Sequence, residues 1–121
     1  MNFFFVALGG AIGAMGRYAI SLIPVKSAFP ILTLITNCLG AVLIGFVVGL
    51  VSKRNDISPN AVLFWKTGVC GGFTTFSTFS LEAFSLIENH HIALGSIYIV
   101  ASVGFCIAGI MLGRRLAMLM A

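Results

Sequence analysis

Hydrophobic residues run along the chain in four long stretches separated by short polar connections. The stretches cover roughly Phe3–Leu22, Ile31–Val51, Ala61–Ile87 and Ile92–Leu112. Each reaches or exceeds the roughly 20 residues that an α-helix needs to cross the hydrocarbon core of a bilayer. Backbone groups in lipid must satisfy their hydrogen bonds within their own segment, so the pattern predicts helices. We predict an all-α membrane protein of four transmembrane helices, folded as a single domain over residues 1–121.

Composition places the chain in the same class. Of its 121 residues, 60% are hydrophobic and only 8% are charged, whereas soluble domains carry about 25% charged residues. The net charge of +4 does not indicate a nucleic-acid partner, because basic residues beside membrane spans usually set topology or contact lipid headgroups. We expect the lipid bilayer as the surrounding phase, and a multi-pass protein of the cell's inner (plasma) membrane.

The cysteines and the remaining polar residues form no pattern typical of an enzyme. The chain has an odd number of cysteines, Cys38, Cys70 and Cys106, and no two of them are spaced as Cys-x-x-Cys. This pattern argues against a disulfide framework and a zinc site. We expect them to behave as small buried hydrophobic residues. No nucleophile–base pair stands out either, so we predict that the chain is not an enzyme.

Glycine pairs spaced four residues apart occur in three of the spans. They are Gly9 and Gly13, Gly45 and Gly49, and Gly109 and Gly113. Such pairs let helix backbones approach closely, which is the main packing device in lipid. Four short helices fill their own centre with side chains, so a conducting pathway is expected between subunits of an oligomer.

Polar side chains inside the spans are costly in lipid, and each needs a partner or a function. In chain order they are Arg17, Thr33, Asn37, Glu82 and the stripe Tyr98, Ser102 and Cys106. Arg17 either snorkels to the headgroups or has a functional role, and Asn37 is either interhelical glue or part of a pathway. Glu82 is either a hydrogen-bonded buried carboxyl or a transport residue. The residue types and their positions alone do not decide between these alternatives.

The segment "VCGGFTTFSTFS", Val69 to Ser80, concentrates these unusual features. Gly71 and Gly72, followed by Thr74 and Thr75, predict a helix interruption near Gly71–Thr75. We expect the glycines to adopt backbone angles that expose carbonyl groups and to allow close approach. Interrupted membrane helices present free carbonyls at one half-helix end and free N–H groups at the other. Carbonyls suit a small hard cation, and N–H groups suit an anion.

Phe76 and Phe79 are three residues apart, so on a helix they share a face. A phenyl ring has a partly positive edge, which can touch an anion without holding it tightly. Hydroxyl and amide groups nearby are neutral donors. Together they predict a conduit for a small anion that must bind and still leave. The alternative is that the rings face lipid or core and the hydroxyls bond the backbone.

The sequences "GGFTTFSTFS" and "TNCLGAVLIG", with a Gly-Arg-Tyr in the first span, resemble those of the Fluc fluoride channels, also called CrcB. The resemblance covers the whole chain. It implies an antiparallel dimer with a structural sodium ion at the centre of the interface and a fluoride pathway on each side. The family's role is passive export of fluoride from the cytoplasm, which confers fluoride resistance.

The resemblance also implies roles for residues of this chain. The backbone carbonyls of Gly71 and Thr74 would hold sodium, and Arg17 would lie near an aqueous entrance. The fluoride pathway would be lined by Phe76, Phe79, Asn37, Ser77, Thr78, Tyr98 and Ser102. Cys106 stands where a further hydroxyl would be expected, which leaves the end of that hydroxyl track open.

Two other readings compete with the channel. A small multidrug-resistance-type transporter also has four helices, but it needs a membrane carboxylate in its first span to couple protons. Here the first span has no acid, and Glu82 lies in the third. A purely structural assembly subunit would need no stripe of hydroxyls.

Basic residues are distributed unevenly between the two sides of the membrane. With four spans, the side of both termini carries Lys53, Arg54, Lys66, Arg114 and Arg115, and the other side carries Arg17 and Lys26. If Lys66 lies within the third span, the imbalance is four against two. The bias favours cytoplasmic termini, whereas an antiparallel homodimer needs both orientations. The resemblance nevertheless predicts dual topology, and a homologous second chain is the alternative partner.

Overall fold

The computed structural model describes residues 2–120, and the described chain is helical throughout apart from its connections. Helix α1 spans Asn2–Ser21, and α2 spans Ile31–Lys53. A third helical segment follows in three consecutive pieces, which are α3 (Pro59–Val62), a π-helix (Leu63–Cys70) and α4 (Gly71–Phe73). We refer to these pieces together as the 59–73 segment. Helices α5 (Phe76–Glu88) and α6 (Ile92–Met120) complete the fold.

The all-helical prediction is confirmed, and no strand occurs among residues 2–120. Three helices in that range, α1, α2 and α6, are long and apolar enough to cross a membrane. Helix α6 extends to Met120, beyond the predicted end of the fourth stretch at Leu112. The predicted stretch Ala61–Ile87 is divided between the 59–73 segment and α5.

The helices pack as two close pairs, α1 with the 59–73 segment and α2 with α6. Glycines lie at both contacts, as their spacing predicted. A side chain at Gly13 would overlap the backbone oxygen of Val69, and one at Gly113 would overlap that of Val42. The small-residue pairs therefore act as the seams along which backbones approach.

The helical run stops at Thr74 and Thr75, whose backbones are extended with ψ of 155° and 119°. The expectation that the two glycines before this break adopt special backbone angles was wrong. Gly71 has ordinary helical angles (φ −64°, ψ −36°), and no glycine among the described residues has a positive φ. Gly72 does allow a close approach, here between two helices of the same chain, because a side chain there would overlap the backbone oxygen of Gly10 in α1.

The buried core lies beside this break, between α2, α5 and α6. Its fully buried centre is Tyr98, which is 0% exposed. The Phe79 ring packs on Tyr98 with a centroid separation of 5.1 Å, and Leu34, Ala83 and Leu86 surround them. One face of the break is thus anchored in packed side chains.

Candidate functional site

Asn37 of α2 stabilises the break through hydrogen bonds to the backbone of Thr75. Its Oδ1 accepts a hydrogen bond from the Thr75 backbone N–H at 2.8 Å, and its Nδ2 donates to the Thr75 carbonyl at 3.1 Å. Both backbone groups of Thr75 are therefore satisfied by a side chain from another helix. An extended residue inside a helical membrane segment requires such a partner, because lipid offers none.

Backbone N–H groups that would continue the helix across the break bond to side chains instead. In a continuous α-helix the Thr75 N–H would bond to the Gly71 carbonyl, but here it bonds to Asn37. The Thr78 N–H would reach the Thr74 carbonyl, but it bonds to the Thr75 Oγ1 at 3.2 Å as the N-cap of α5. The carbonyls of Gly71 and Thr74, the two predicted cation ligands, have thus lost their helical partners.

The Thr74 hydroxyl takes no part in this loss of helical partners. Its Oγ1 donates to the Cys70 carbonyl at 2.8 Å, and the Thr74 N–H bonds to the same oxygen at 3.0 Å. The side chain is therefore held against its own helix, and only the backbone oxygen of Thr74 is left for another ligand.

A cavity of about 380 Å³ opens beside the break, between α2, the 59–73 segment, α5 and α6. It brings together six of the residues predicted from the sequence: Asn37, Gly71, Thr74, Phe76, Phe79 and Ser102. Gly71 is exposed on this side, and a side chain built there would meet no atom within 4 Å. Gly71 and Thr74, whose carbonyls have lost their helical partners, thus both line the cavity.

Two phenyl rings stand in a row at the cavity. The Phe76 and Phe79 ring centroids are 5.5 Å apart, with an interplanar angle of 53°. Phe76 is 79% exposed, whereas Phe79 is 9% exposed and packs on Tyr98. The prediction that these rings share a face is confirmed, but one ring is anchored in the core and the other is open.

Ser102 supplies an uncommitted hydroxyl to the same cavity. The residue is 6% exposed, and its Oγ has no hydrogen-bond partner among the described residues. A buried polar group without a partner is costly and calls for a functional explanation. Cys106, one turn further along α6, also lines the cavity, so the polar stripe ends on a thiol.

Comparison with known proteins identifies the family of the chain. Residues 4–114 match the family model described as "CrcB-like protein, Camphor Resistance (CrcB)". The chain belongs to the CrcB family.

Curated CrcB relatives cover nearly the whole chain. A protein of Ruminiclostridium cellulolyticum is 44% identical over 97% of this chain and 92% of its own length. One of Agrobacterium fabrum is 46% identical over 96% and 98%, and one of Thermococcus kodakarensis is 42% identical over 91% and 94%. Each is named "Fluoride-specific ion channel FluC". The prediction that the chain is not an enzyme is confirmed by this channel family.

Three hydroxyl residues assigned to the CrcB pathway lie outside the cavity. Ser77 is exposed and Thr78 is half-buried on α5, and neither lines the cavity. Tyr98 is enclosed in the core, and its hydroxyl donates to Glu82 Oε1 at 3.0 Å. The Tyr98 proton is therefore engaged by a carboxylate.

Sequence reasoning allowed for a hydrogen-bonded Glu82 but did not identify its partners. Thr33 Oγ1 donates to Glu82 Oε2 at 3.0 Å, so both carboxyl oxygens accept a hydroxyl. The structure thus resolves Glu82 as a hydrogen-bonded carboxyl that ties α5 to α2 and α6. The signal available in the sequence was the single acid well inside a span, because such a group must find donors.

Arg17 lies at the break and does not line the cavity. Its Nε donates to the Gly72 carbonyl at 3.3 Å. This carbonyl would otherwise have been freed like those of Gly71 and Thr74, since the helix ends at Phe73. Arg17 therefore stabilises the break from the side of α1, and its place near an aqueous entrance stays a prediction.

Proposed function

We propose that this CrcB chain is a fluoride-selective ion channel that lets fluoride leave the cytoplasm passively across the inner membrane. The observation that carries the proposal is the similarity of almost the whole chain to proteins named fluoride-specific ion channels. The cavity supports it, because it joins a free hydroxyl at Ser102 with the rings of Phe76 and Phe79. Neutral donors and ring edges attract a small anion without trapping it.

In this proposal the 59–73 segment and α5 together form the fourth membrane crossing. Helix α5 has 13 residues, which at 1.5 Å per residue reach only about 20 Å. The hydrocarbon core is about 30 Å thick. The two half-helices are long enough only in combination, with the Thr74–Thr75 break between them.

The functional unit would be an antiparallel dimer, with the face around Gly71 covered by the second copy. Gly71 is exposed and has open space around it, although it lies deep in an apolar chain. Phe76 is also largely exposed beside it. A second copy would close the cavity wall, so each pathway would run along the interface.

The centre of that interface would hold a sodium ion. The carbonyls of Gly71 and Thr74 fit this role, since both have lost their helical partners and both are neutral oxygens. The nearest acid in sequence, Glu82, is engaged with Thr33 and Tyr98, so no free carboxylate favours a divalent ion. When bound, sodium would supply a fixed positive charge that raises the potential felt by anions nearby.

Fluoride efflux from liposomes that contain only this purified chain tests the proposal. We expect fluoride to leave and chloride to stay behind, with protein-free liposomes as the control. Equal efflux of both ions, or efflux of neither from folded protein, would contradict it.

A further inference from the structure

Lys66 is the one charged side chain among the described residues that line the cavity. All the other lining residues are apolar or neutral. In the sequence Lys66 counted only as a topology signal. Its position beside Cys70 and Gly71 in the cavity wall calls for a different explanation.

The lysine lies toward one end of the cavity. It is seven residues into the 59–73 segment, which begins at Pro59, and so about 10 Å along the helix axis from that end. It is the first residue of that segment to line the cavity, five positions before Gly71 and eight before Thr74. Ser102 lies four residues after Tyr98 on α6, and Tyr98 packs on Phe79 of α5, beyond the break from Lys66. An ion coming from the Pro59 end would therefore meet Lys66 before Ser102.

No acid neutralises this charge. The chain has three acids, and the one ion pair among residues 2–120 joins Arg54 to Asp56 in the loop before α3. Glu82 is bonded to Thr33 and Tyr98, and Glu88 ends α5. An unpaired ammonium in a membrane segment is costly and marks a water-filled path or a functional site.

We propose that Lys66 recruits fluoride into the cavity from the Pro59 end of the 59–73 segment. This inference rests on the proposed channel function and assigns a step of it to a residue of this chain. A positive charge in a cleft with low-dielectric walls concentrates anions locally. The ammonium lies on a flexible four-carbon stem, so it attracts the ion without enclosing it. Fluoride then passes to the neutral groups at Ser102 and Phe79.

The test is fluoride flux measured against fluoride concentration for the parent and for Lys66→Gln and Lys66→Arg. For Lys66→Gln we expect the half-saturating concentration to rise about tenfold, the lower end of the range for charge focusing in clefts, with unchanged maximum flux. Lys66→Arg keeps the charge and should resemble the parent. The matched control is Lys53→Gln, because Lys53 is an exposed lysine at the end of α2 that does not line the cavity.

A second measurement uses ionic strength. Adding an impermeant salt at constant sodium should reduce the parent's flux at low fluoride toward that of Lys66→Gln, because screening weakens attraction between charges. The proposal is overturned if Lys66→Gln keeps the parent's half-saturating concentration, or if only its maximum flux and dimer content fall. If Lys66→Gln does not assemble, a salt-independent parent flux overturns it as well. A parent that does not conduct fluoride would overturn the channel function itself.

Discussion

Asn37 and Thr75, 38 positions apart in the sequence, are joined by two hydrogen bonds that replace the helical bonds of Thr75. One amide side chain thus decides where the helical run is interrupted. It also occupies the Thr75 N–H, so that the Gly71 carbonyl loses its helical partner. The break is consequently a tertiary feature of α2 and the motif together.

Replacing Asn37 by Ala should lower both stability and conduction. Loss of two hydrogen bonds worth about 1 kcal/mol each, with two buried backbone groups left unpaired, is expected to cost about 2–4 kcal/mol of unfolding free energy. Thermal unfolding in detergent and fluoride flux are the measurements. The control is Asn55→Ala in the exposed loop after α2. An Asn37→Ala protein as stable and conductive as the control would show that the break does not depend on this amide.

The two phenylalanines should respond differently to replacement by Ile, which keeps apolar bulk but removes the ring edge. Phe76→Ile should change unfolding free energy by less than about 0.5 kcal/mol, because the ring is 79% exposed. Phe79→Ile should cost about 1 kcal/mol or more, because its ring packs on Tyr98.

Both phenylalanine variants should lose most of their fluoride flux while remaining dimeric. Phe84→Ile, on the same helix and 60% exposed, serves as the matched control and should conduct like the parent. Parental flux in folded Phe76→Ile and Phe79→Ile would rule out the ring-edge mechanism.

Gly71→Val should separate folding of one chain from assembly of two. Apart from the neighbouring backbone of its own helix, no atom of the chain lies within 4 Å of a Cβ placed at Gly71, and the same holds for Gly104 on α6. Both variants should therefore fold, but only Gly71→Val should lose dimers and flux, because its side chain would intrude beside the carbonyls that have lost their helical partners. Size-exclusion chromatography and flux decide the matter. If Gly104→Val and Gly71→Val behave alike, Gly71 does not lie at a subunit contact.

Removal of sodium should abolish fluoride flux without unfolding the chain. The proposed ligands are backbone oxygens, so a side-chain substitution cannot remove them. Depletion of sodium is therefore the direct test. Flux should return when sodium is added back, and lithium or a large organic cation should restore it less well. The ion itself should not be transported, which a sodium tracer can verify. Unchanged flux from protein proven to be sodium-free would remove the ion from the mechanism.

Dual topology should be visible by chemical labelling. A cysteine appended after Ala121 should react with a membrane-impermeant maleimide from both sides of the membrane in an antiparallel homodimer. The parent, whose Cys38, Cys70 and Cys106 are buried or half-buried, is the background control. Labelling from one side alone would indicate a parallel assembly or an oppositely inserted second chain, in line with the uneven distribution of basic residues.

The sequence pattern predicted the features that depend on local composition. Apolar length located α1, α2 and α6, and glycine spacing located the seams at Gly13 and Gly113. Ring spacing placed Phe76 and Phe79 together. These features follow from the regular geometry of a helix, so the spacing of residues along the sequence is enough to predict them.

Features that depend on distant partners were not predicted. The pattern attributed the break to the conformational freedom of Gly71 and Gly72, but both remain helical, and the interruption lies at Thr74–Thr75 because Asn37 competes for Thr75. Likewise, the sequence did not identify Glu82 as the acceptor for the Tyr98 hydroxyl. A side chain's choice between partners is settled by packing, which sequence spacing does not encode.

The outward-facing break has a consequence for how the protein's stability can be measured. A chain without a partner leaves the surface around Gly71, with two carbonyls that have lost their helical bonds, open to lipid or detergent. Such groups are costly in hydrocarbon. For the proposed dimer, dilution into excess lipid therefore shifts the mass-action balance toward single chains, which bear that energetic cost. A melting temperature measured at a low protein-to-lipid ratio would therefore depend on the association of two chains as much as on the folding stability of each chain.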